Sequence, residues 1–167
     1  MKDEKPIMWL SINHDFMTRS LKLFLGKHYS ALDKENRLLT PPAFRDQLSS
    51  GIYITQGFDR NLLVLTSGAF QEIYTRVKSL SMTDPIARLL LRLIFGTANE
   101  LTANTSGYLT IPPSLKDFAG LQEDALLIGQ GDYFEIWSPE LWDTQETQIR
   151  DAETNSTRFS ELTVTAR

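Results

Sequence analysis

Hydrophobic and polar positions recur along the chain in two similar stretches. RLLTPPAFRDQL at residues 37–48 returns 71 positions later as YLTIPPSLKDFAGL at residues 108–121. In both stretches a Pro-Pro pair precedes a short segment with apolar residues at helical spacing. Because proline is tolerated in the first turn of a helix, short helices are predicted to begin at Pro42 and Pro113. The pattern thus predicts one structural unit that occurs twice.

Each unit is predicted to be a strand–helix–strand arrangement of about 45 residues. Gly51 and Gly120 follow the predicted helices, where a left-handed residue is common. A unit of this size cannot bury a sufficient core alone, so the two units are expected to interlock and share one core. Phe44 and Leu115 should then occupy equivalent buried positions. The predicted fold class is mainly β with short helices (α+β).

The rest of the chain divides around these units. The predicted organisation is an N-terminal extension (1–22), a first repeat (27–69), a helical linker (70–96), a second repeat (98–142) and a polar tail (143–167). The extension is either disordered or a misassigned start. The tail mostly lacks periodicity and is expected to be disordered.

The linker has the pattern of two helices. The first has apolar residues at helical spacing, and the second begins at Asp84, a suitable N-cap, with Pro85 in the first helical position. The second helix, IARLLLRLI, is apolar on nearly all sides, so it should be buried in the core or against another subunit. Ser138 and Pro139 repeat this start signature, which predicts a final short helix carrying Trp142.

Composition narrows the class of protein. The chain has 167 residues, 41% of them hydrophobic, and it contains no cysteine, which removes disulfides and thiolate metal sites. No apolar run is long enough for a transmembrane helix, and the first 22 residues do not resemble a signal peptide. We therefore expect a cytoplasmic protein with no membrane partner.

Charge is distributed unequally between the two units. The net charge is −4, yet residues 27–69 carry five basic and four acidic side chains, and residues 70–96 carry four and two. Residues 97–142 carry one basic and seven acidic side chains. A polyanion should therefore approach the first half of the chain and the linker.

No arrangement typical of an enzyme, a cofactor or a metal site is found in the sequence. His14 and His28 are the only histidines, and neither has partners typical of a ligand or a catalytic base. Asp33 and Glu35 stand on a polar loop with no nucleophile nearby. The chain is therefore not expected to be an enzyme or to need a cofactor.

The stretches FLGKHYSALDKENRLLTPPAFRDQL and GYLTIPPSLKDFAGLQEDALLIGQGDYFEIWSPELW closely resemble the MraZ family of bacterial transcriptional regulators, which carry two tandem SpoVT-AbrB-type domains. The resemblance covers residues 24–142. It implies a double-split β-barrel of swapped hairpins, ring-like homo-oligomers, and nucleoid-associated binding to short repeated boxes in double-stranded DNA. Those boxes would lie in the promoter of a division and cell-wall gene cluster.

The resemblance also implies a DNA-contacting motif, Asp-x-x-x-Arg, in each unit. The first unit keeps it as Asp33 to Arg37, with Asn36 where the family usually has glycine. In the second unit the matching positions are Asn104, Gly107 and Tyr108, so the second motif is degenerate and its DNA contact is expected to be lost or weak. Replacing Tyr108 by alanine should then change DNA affinity little.

The residues of the first loop support the same interpretation on physical grounds. An aspartate can orient the Arg37 guanidinium, which is shaped to contact phosphate or guanine. Lys27, Lys34 and Arg45 are close in sequence and could add phosphate contacts. Two alternatives stay open: Asp33 and Arg37 form only a structural ion pair, or the chain is an AbrB-like interaction or antitoxin-type module.

Overall fold

The structure is a computed structural model that describes residues 22–160 and 162. The proposed N-terminal extension, apart from Lys22, therefore lies outside the described residues. Eight strands are described: β1 Lys27–Ala31, β2 Arg37–Leu39, β3 Ile52–Gln56, β4 Leu62–Thr66, β5 Asn99–Leu101, β6 Tyr108–Thr110, β7 Asp124–Gly129 and β8 Tyr133–Trp137. Six helices are described: α1 Pro42–Leu48, α2 Ser67–Val77, α3 Pro85–Ile94, α4 Pro113–Phe118, α5 Pro139–Arg150 and α6 Ala152–Ser160.

Local sequence signals determine where these elements begin and end. Pro42 and Pro113 open α1 and α4, as predicted. The side chain of Asp84 accepts a hydrogen bond from the N–H of Ile86 at 2.8 Å and so caps α3. Gly51 and Gly120 adopt positive φ angles of +82° and +63°, which confirms the predicted left-handed residues after α1 and α4.

The sheets show how the two units interlock. The larger sheet has the order β1-β7-β8-β4-β3-β5, and the smaller sheet pairs β2 with β6. All these pairings are antiparallel. The first strand of each unit pairs with the hairpin of the other unit, β1 with β7 and β5 with β3. Exchanging the two units leaves the strand order unchanged. The strands described here form no closed barrel, so the double-split barrel stays a prediction within a confirmed α+β fold.

One hydrophobic core lies between the units. Phe44 and Leu115 are 1% and 2% exposed and belong to the same buried cluster, as expected for equivalent positions. Phe24, Phe44 and Phe134 meet there with each pair of ring centroids 5.1 Å apart. Side chains of both units thus share the main core, while a smaller cluster around Trp137 and Trp142 is formed by the second unit.

The linker is helical, as predicted, but α3 is only partly buried within the chain. Tyr53 of β3 stacks on Phe70 of α2 with ring centroids 4.2 Å apart. Among the residues of α3, only Ala87 and Ile94 are buried, whereas Ile86 and Leu89 are 73% and 61% exposed. Within one chain α3 is therefore not buried in the core, because only one edge of the helix faces the sheet, and burial against another subunit stays the remaining prediction.

The prediction of a disordered tail is also wrong over residues 143–160, which belong to α5 and α6. Trp142 anchors α5 by packing against Trp137, with ring centroids 5.6 Å apart. The Asn155 side-chain amide donates to the carbonyls of Gln148 and Ile149 at 2.8 and 3.0 Å, which ties α6 to the end of α5. The packing of Trp142 and the hydrogen bonds of Asn155 therefore hold a segment whose composition is polar.

The order of elements is the same in both halves: two strands, a helix, two strands and two helices. The linker helices α2 and α3 therefore correspond to α5 and α6. No helix in the described part of the chain is both long and apolar enough to cross a membrane.

Candidate nucleic-acid interface

Loop 1 (residues 33–37) is a tight turn between β1 and β2 that is organised by Asp33. The Oδ1 atom of Asp33 accepts hydrogen bonds from the N–H groups of Glu35 and Arg37, both at 2.9 Å. Asn36 completes the turn with φ +59°, a left-handed conformation that asparagine tolerates. The turn is therefore determined by the chain itself, because a carboxylate and an asparagine stand where the backbone needs them.

The same carboxylate holds Arg37. The Oδ2 atom of Asp33 lies 2.7 Å from Nε of Arg37, and Nη1 of Arg37 lies 3.0 Å from a carboxylate oxygen of Glu35. The backbone N–H of Arg37, followed by its guanidinium, holds the pKa of Asp33 below its ordinary value. The bond to Asp33 likewise raises the pKa of Arg37. Loop 1 thus presents a guanidinium that stays charged and is oriented by two carboxylates.

Loop 2 (residues 104–108) repeats this turn between β5 and β6 without the charges. Oδ1 of Asn104 accepts from the N–H groups of Ser106 and Tyr108 at 3.1 and 2.9 Å. Gly107 takes the left-handed position with φ +84°. Loop 2 has therefore lost the ionic groups of the motif but keeps its fold.

The two loops lie side by side because β2 pairs with β6. The carbonyl of Asn36 accepts from the N–H of Ile111 at 2.8 Å, and the carbonyl of Gly107 accepts from the N–H of Thr40 at 2.9 Å. The hydroxyl of Thr40 also donates to the Gly107 carbonyl, at 2.6 Å. We call loops 1 and 2 together with the strands β2 and β6 the loop pair.

A cation from each unit supports the loop of the other unit. Lys116 of α4 donates to the side-chain oxygen of Asn36 at 2.9 Å. Arg45 of α1 lies against Gly107, where an added Cβ atom would be 2.6 Å from Nε of Arg45. Arg45 also donates to the carbonyl of Thr40 at 3.1 Å. Four cations therefore surround or form the loop pair: Lys34, Arg37, Arg45 and Lys116.

Most of the predicted site residues meet at this loop pair, and one does not. Lys34 is exposed within loop 1, and Arg45 reaches loop 2. Lys27 stands at the other end of β1, about 20 Å from Asp33 at the usual rise of a strand. Its Nζ pairs with Glu146 of α5 at 2.8 Å. Lys27 therefore lies away from loop 1, although it lines one pocket together with Leu39 of β2 and Arg45.

Sequence reasoning did not identify Lys116 as a site residue. The signal was present, because Lys116 occupies the position in the second unit that Arg45 has in the first. Its bond to Asn36 spans 80 positions and follows from the interlocking of the units. His28, considered as a ligand or base, packs against Phe44 with ring centroids 4.8 Å apart, and its Nε2 lies 2.9 Å from the Leu25 carbonyl. His14 lies outside the described residues.

The arrangement suits a polyanion better than a small molecule. Arg37 keeps 43% of its side chain exposed, at the end of a turn held by hydrogen bonds to Asp33 and by the bond from the Ile111 N–H to the Asn36 carbonyl. A guanidinium can contact a phosphate or the edge of a guanine through two donors at once. Within residues 22–160, no group of three or more histidine, aspartate or glutamate side chains is arranged to hold a metal ion.

Comparison with known proteins gives a consistent result. The sequence model of a family described as "MraZ protein, putative antitoxin-like" matches the chain twice, at residues 23–93 and 94–164. A protein of Herpetosiphon aurantiacus named "Transcriptional regulator MraZ" is 37% identical over 122 residues, which are 73% of this chain and 85% of the relative. Relatives of the same name from Roseiflexus castenholzii and Clavibacter michiganensis are 38% and 36% identical. They align with 72% and 78% of this chain and 84% and 91% of their own length.

Proposed function

The chain belongs to the MraZ family, and from that premise we propose that it is a transcriptional regulator that binds specific double-stranded DNA through its loop pair. The relatives named as transcriptional regulators support the general role. The observation that carries the DNA contact is the orientation of Arg37 by Asp33 at 2.7 Å on an exposed turn. Arg37 is the base-reading residue in this proposal, and the surrounding cations contact phosphates.

The proposed target is a set of short repeated boxes in the promoter of a division and cell-wall gene cluster. This target comes from the family resemblance. A protein bound to this target would act at the nucleoid, in the cytoplasm. A single loop pair offers few contacts, so useful affinity for one box requires several copies of the protein acting together on neighbouring boxes.

Self-association is therefore part of the proposal, and the helical pairs are the surfaces that we assign to it. Met82, Ile86 and Leu89 are 70%, 73% and 61% exposed around the start of α3. The α5–α6 pair exposes apolar side chains as well, among them Ile149 and Phe159 at 61% and 60%. These exposed side chains give each copy an apolar surface at both helical pairs.

Charge favours contact between unlike surfaces of two copies. Residues 67–94 hold four basic and two acidic side chains, whereas residues 139–160 hold two basic and five acidic ones. The α2–α3 pair of one copy is thus attracted to the α5–α6 pair of the next. Contact between different surfaces leads to rings when the rotation closes, which agrees with the ring-like oligomers that the resemblance implies.

Sedimentation velocity tests the association. Leu89→Glu should shift the protein towards monomers, since it places a charge in the apolar surface of α3. Tyr29→Glu is the matched control, because Tyr29 is 73% exposed but lies on β1. A wild-type protein that stays monomeric at micromolar concentration would contradict the proposed association.

Fluorescence anisotropy tests the DNA-binding function. The probe is the DNA upstream of the protein's own gene, and a fragment with the same composition in shuffled order is the control. The protein should bind the upstream fragment more tightly than the shuffled one. The logarithm of the association constant should fall linearly with the logarithm of the salt concentration. Equal affinity for both fragments, or no binding at low salt, would refute sequence-specific DNA binding and favour the interaction-module alternative.

A further inference from the structure

We infer that Tyr108 is a positioning residue for Arg37, so that loop 2 supports the reading residue of loop 1 and does not contact DNA with a residue of its own. The inference deepens the proposed function and rests on it. It also replaces the expectation that Tyr108 is a neutral relic of a lost motif.

The β2–β6 pairing brings the two side chains together. Arg37 lies opposite Thr110, and Leu39 lies opposite Tyr108, so Arg37 and Tyr108 are diagonal neighbours on one face of the small sheet. The Cζ atom of Arg37 is 5.7 Å from the centre of the Tyr108 ring. This distance lies within the range of about 6 Å over which a guanidinium is attracted to an aromatic face.

Three groups then restrain one guanidinium from different directions. Asp33 holds Nε, Glu35 holds Nη1, and the Tyr108 ring covers part of the guanidinium. An arginine side chain has many rotamers, and binding DNA would cost the entropy of fixing one of them. A guanidinium that is already held in place loses less on binding, which is the contribution that we assign to Tyr108.

The position of Tyr108 in the motif supports this assignment. Tyr108 occupies in loop 2 the place that Arg37 occupies in loop 1, and its own N–H is fixed by Asn104 at 2.9 Å. An arginine at position 108 would bring a second cation close to Arg37, and like charges so near each other repel. A tyrosine removes that repulsion and adds an attractive face. The substitution in loop 2 thus benefits loop 1.

A double-mutant cycle on DNA affinity tests the inference. Tyr108→Leu removes the ring, and Tyr108→Phe keeps it without the hydroxyl. In the wild-type background, Tyr108→Leu should lower the affinity for the upstream fragment about two- to fivefold for each chain that contacts DNA. Tyr108→Phe should keep the affinity of the wild type. In an Arg37→Ala background, measured at low salt so that phosphate contacts keep binding detectable, Tyr108→Leu should have no further effect.

Tyr29→Leu is the matched control, because Tyr29 faces the Lys27 ammonium at 5.3 Å and lies on β1, outside loops 1 and 2. It should leave affinity unchanged. The inference is overturned if Tyr108→Leu binds like wild type, or if it loses as much affinity in the Arg37→Ala background. It is also overturned if Tyr108→Phe is as weak as Tyr108→Leu, since the hydroxyl would then be the active group.

An NMR measurement on the DNA-free protein separates this inference from the proposed function. The ring lies over the guanidinium of Arg37, so it should shield the Nε–H proton, whose resonance should move downfield in Tyr108→Leu and stay in place in Tyr108→Phe. If those shifts appear but wild-type protein binds no DNA, the proposed function fails while the contact between the two side chains stands. If the shifts are absent, the positioning role fails whatever the protein binds.

Discussion

Loops 1 and 2 have the same backbone turn and opposite chemistry. In both, the oxygen of the first residue accepts from two backbone N–H groups, and the fourth residue has a positive φ. Loop 1 builds this turn with a carboxylate and ends on a cation, whereas loop 2 builds it with an amide and ends on a phenol. An amide oxygen replaces the carboxylate as an acceptor but, being neutral, cannot form an ion pair with a guanidinium.

This comparison separates two roles that the motif combines. The first residue shapes the turn, and an aspartate or an asparagine does so equally well. Only the aspartate also anchors an arginine, with Nε of Arg37 at 2.7 Å. Loop 2 has therefore kept the role that the fold needs and lost the role that we assign to DNA binding.

The helical pairs differ in a related way. In the first unit α3 exposes Ile86 and Leu89, whereas in the second unit α6 exposes Phe159 and is held by the amide of Asn155. The same order of elements thus carries a basic surface on the α2–α3 pair and an acidic surface on the α5–α6 pair, and both pairs expose apolar side chains. A duplicated unit can acquire two different surfaces in this way while its core stays symmetric.

The largest expected difference in DNA affinity concerns the last residue of each loop, Arg37 in loop 1 and Tyr108 in loop 2. Arg37→Ala should weaken specific DNA binding by ten- to a hundredfold or more, because a bidentate arginine–guanine contact is worth about 1–3 kcal/mol and every subunit loses it. Titration of the upstream fragment at fixed salt measures this loss. Lys34→Ala, in the same loop, should cost less and should flatten the salt dependence. A loss in Arg37→Ala no larger than that in Lys34→Ala would sink the assignment of Arg37 as the reading residue.

Much of this comparison could be predicted from the sequence, because it depends on local signals. The turn residues, Pro42 and Pro113 at the helix starts, and the equivalent positions of Phe44 and Leu115 are all visible as spacing. These signals act over a few residues, so a single sequence contains them.

What could not be predicted depends on contacts between distant segments. The approach of Arg37 to the Tyr108 ring requires the register of β2 on β6, and the bond from Lys116 to Asn36 requires the exchange of strands between units. The tail appeared disordered because its helices are held by Trp142 and Asn155, whose partners cannot be identified from periodicity. The sequence alone does not decide between the core and another subunit for α3, because the pattern of an apolar helix does not show which surface covers it.

The second prediction concerns the left-handed residue of each loop. Gly107→Ala should lower the free energy of unfolding by about 1–2 kcal/mol, because an L-residue is strained at φ +84° and its Cβ would displace Arg45. Asn36→Gly, the opposite change in loop 1, should be nearly neutral, since relief of strain offsets the lost bond to Lys116. Urea denaturation measures both, and Ser106→Ala is the control within loop 2. Wild-type stability in Gly107→Ala would show that the turn is less constrained than its hydrogen bonds imply.

A smaller effect is expected from the acidic residue that only loop 1 carries beside its arginine. The carboxylate of Glu35 occupies Nη1 of Arg37 at 3.0 Å and stands close to where a phosphate or base would bind. Glu35→Gln should therefore strengthen DNA binding about two- to threefold, the range expected for an exposed ion pair. Asp132→Asn removes the same charge from the β7–β8 turn and should change affinity less. Weaker binding by Glu35→Gln would indicate that Glu35 orients Arg37 more than it competes with DNA.

The smallest effect is a difference in how the two loops respond to acid. The backbone N–H of Arg37 and its guanidinium hold the pKa of Asp33 below the ordinary value of 3.8. The stabilisation from this carboxylate is present above the unfolded pKa and is lost as the pH falls through the lowered folded pKa, so loop 1 should weaken only below about pH 4. Asn104 has no proton to gain, and loop 2 should not change. Amide chemical shifts of Glu35 and Arg37 should therefore titrate in this window, while those of Ser106 and Tyr108 stay constant until the protein unfolds. Parallel titration of all four amides would mean that the loop pair responds as one unit, and the separate chemistry assigned to loop 1 would be wrong.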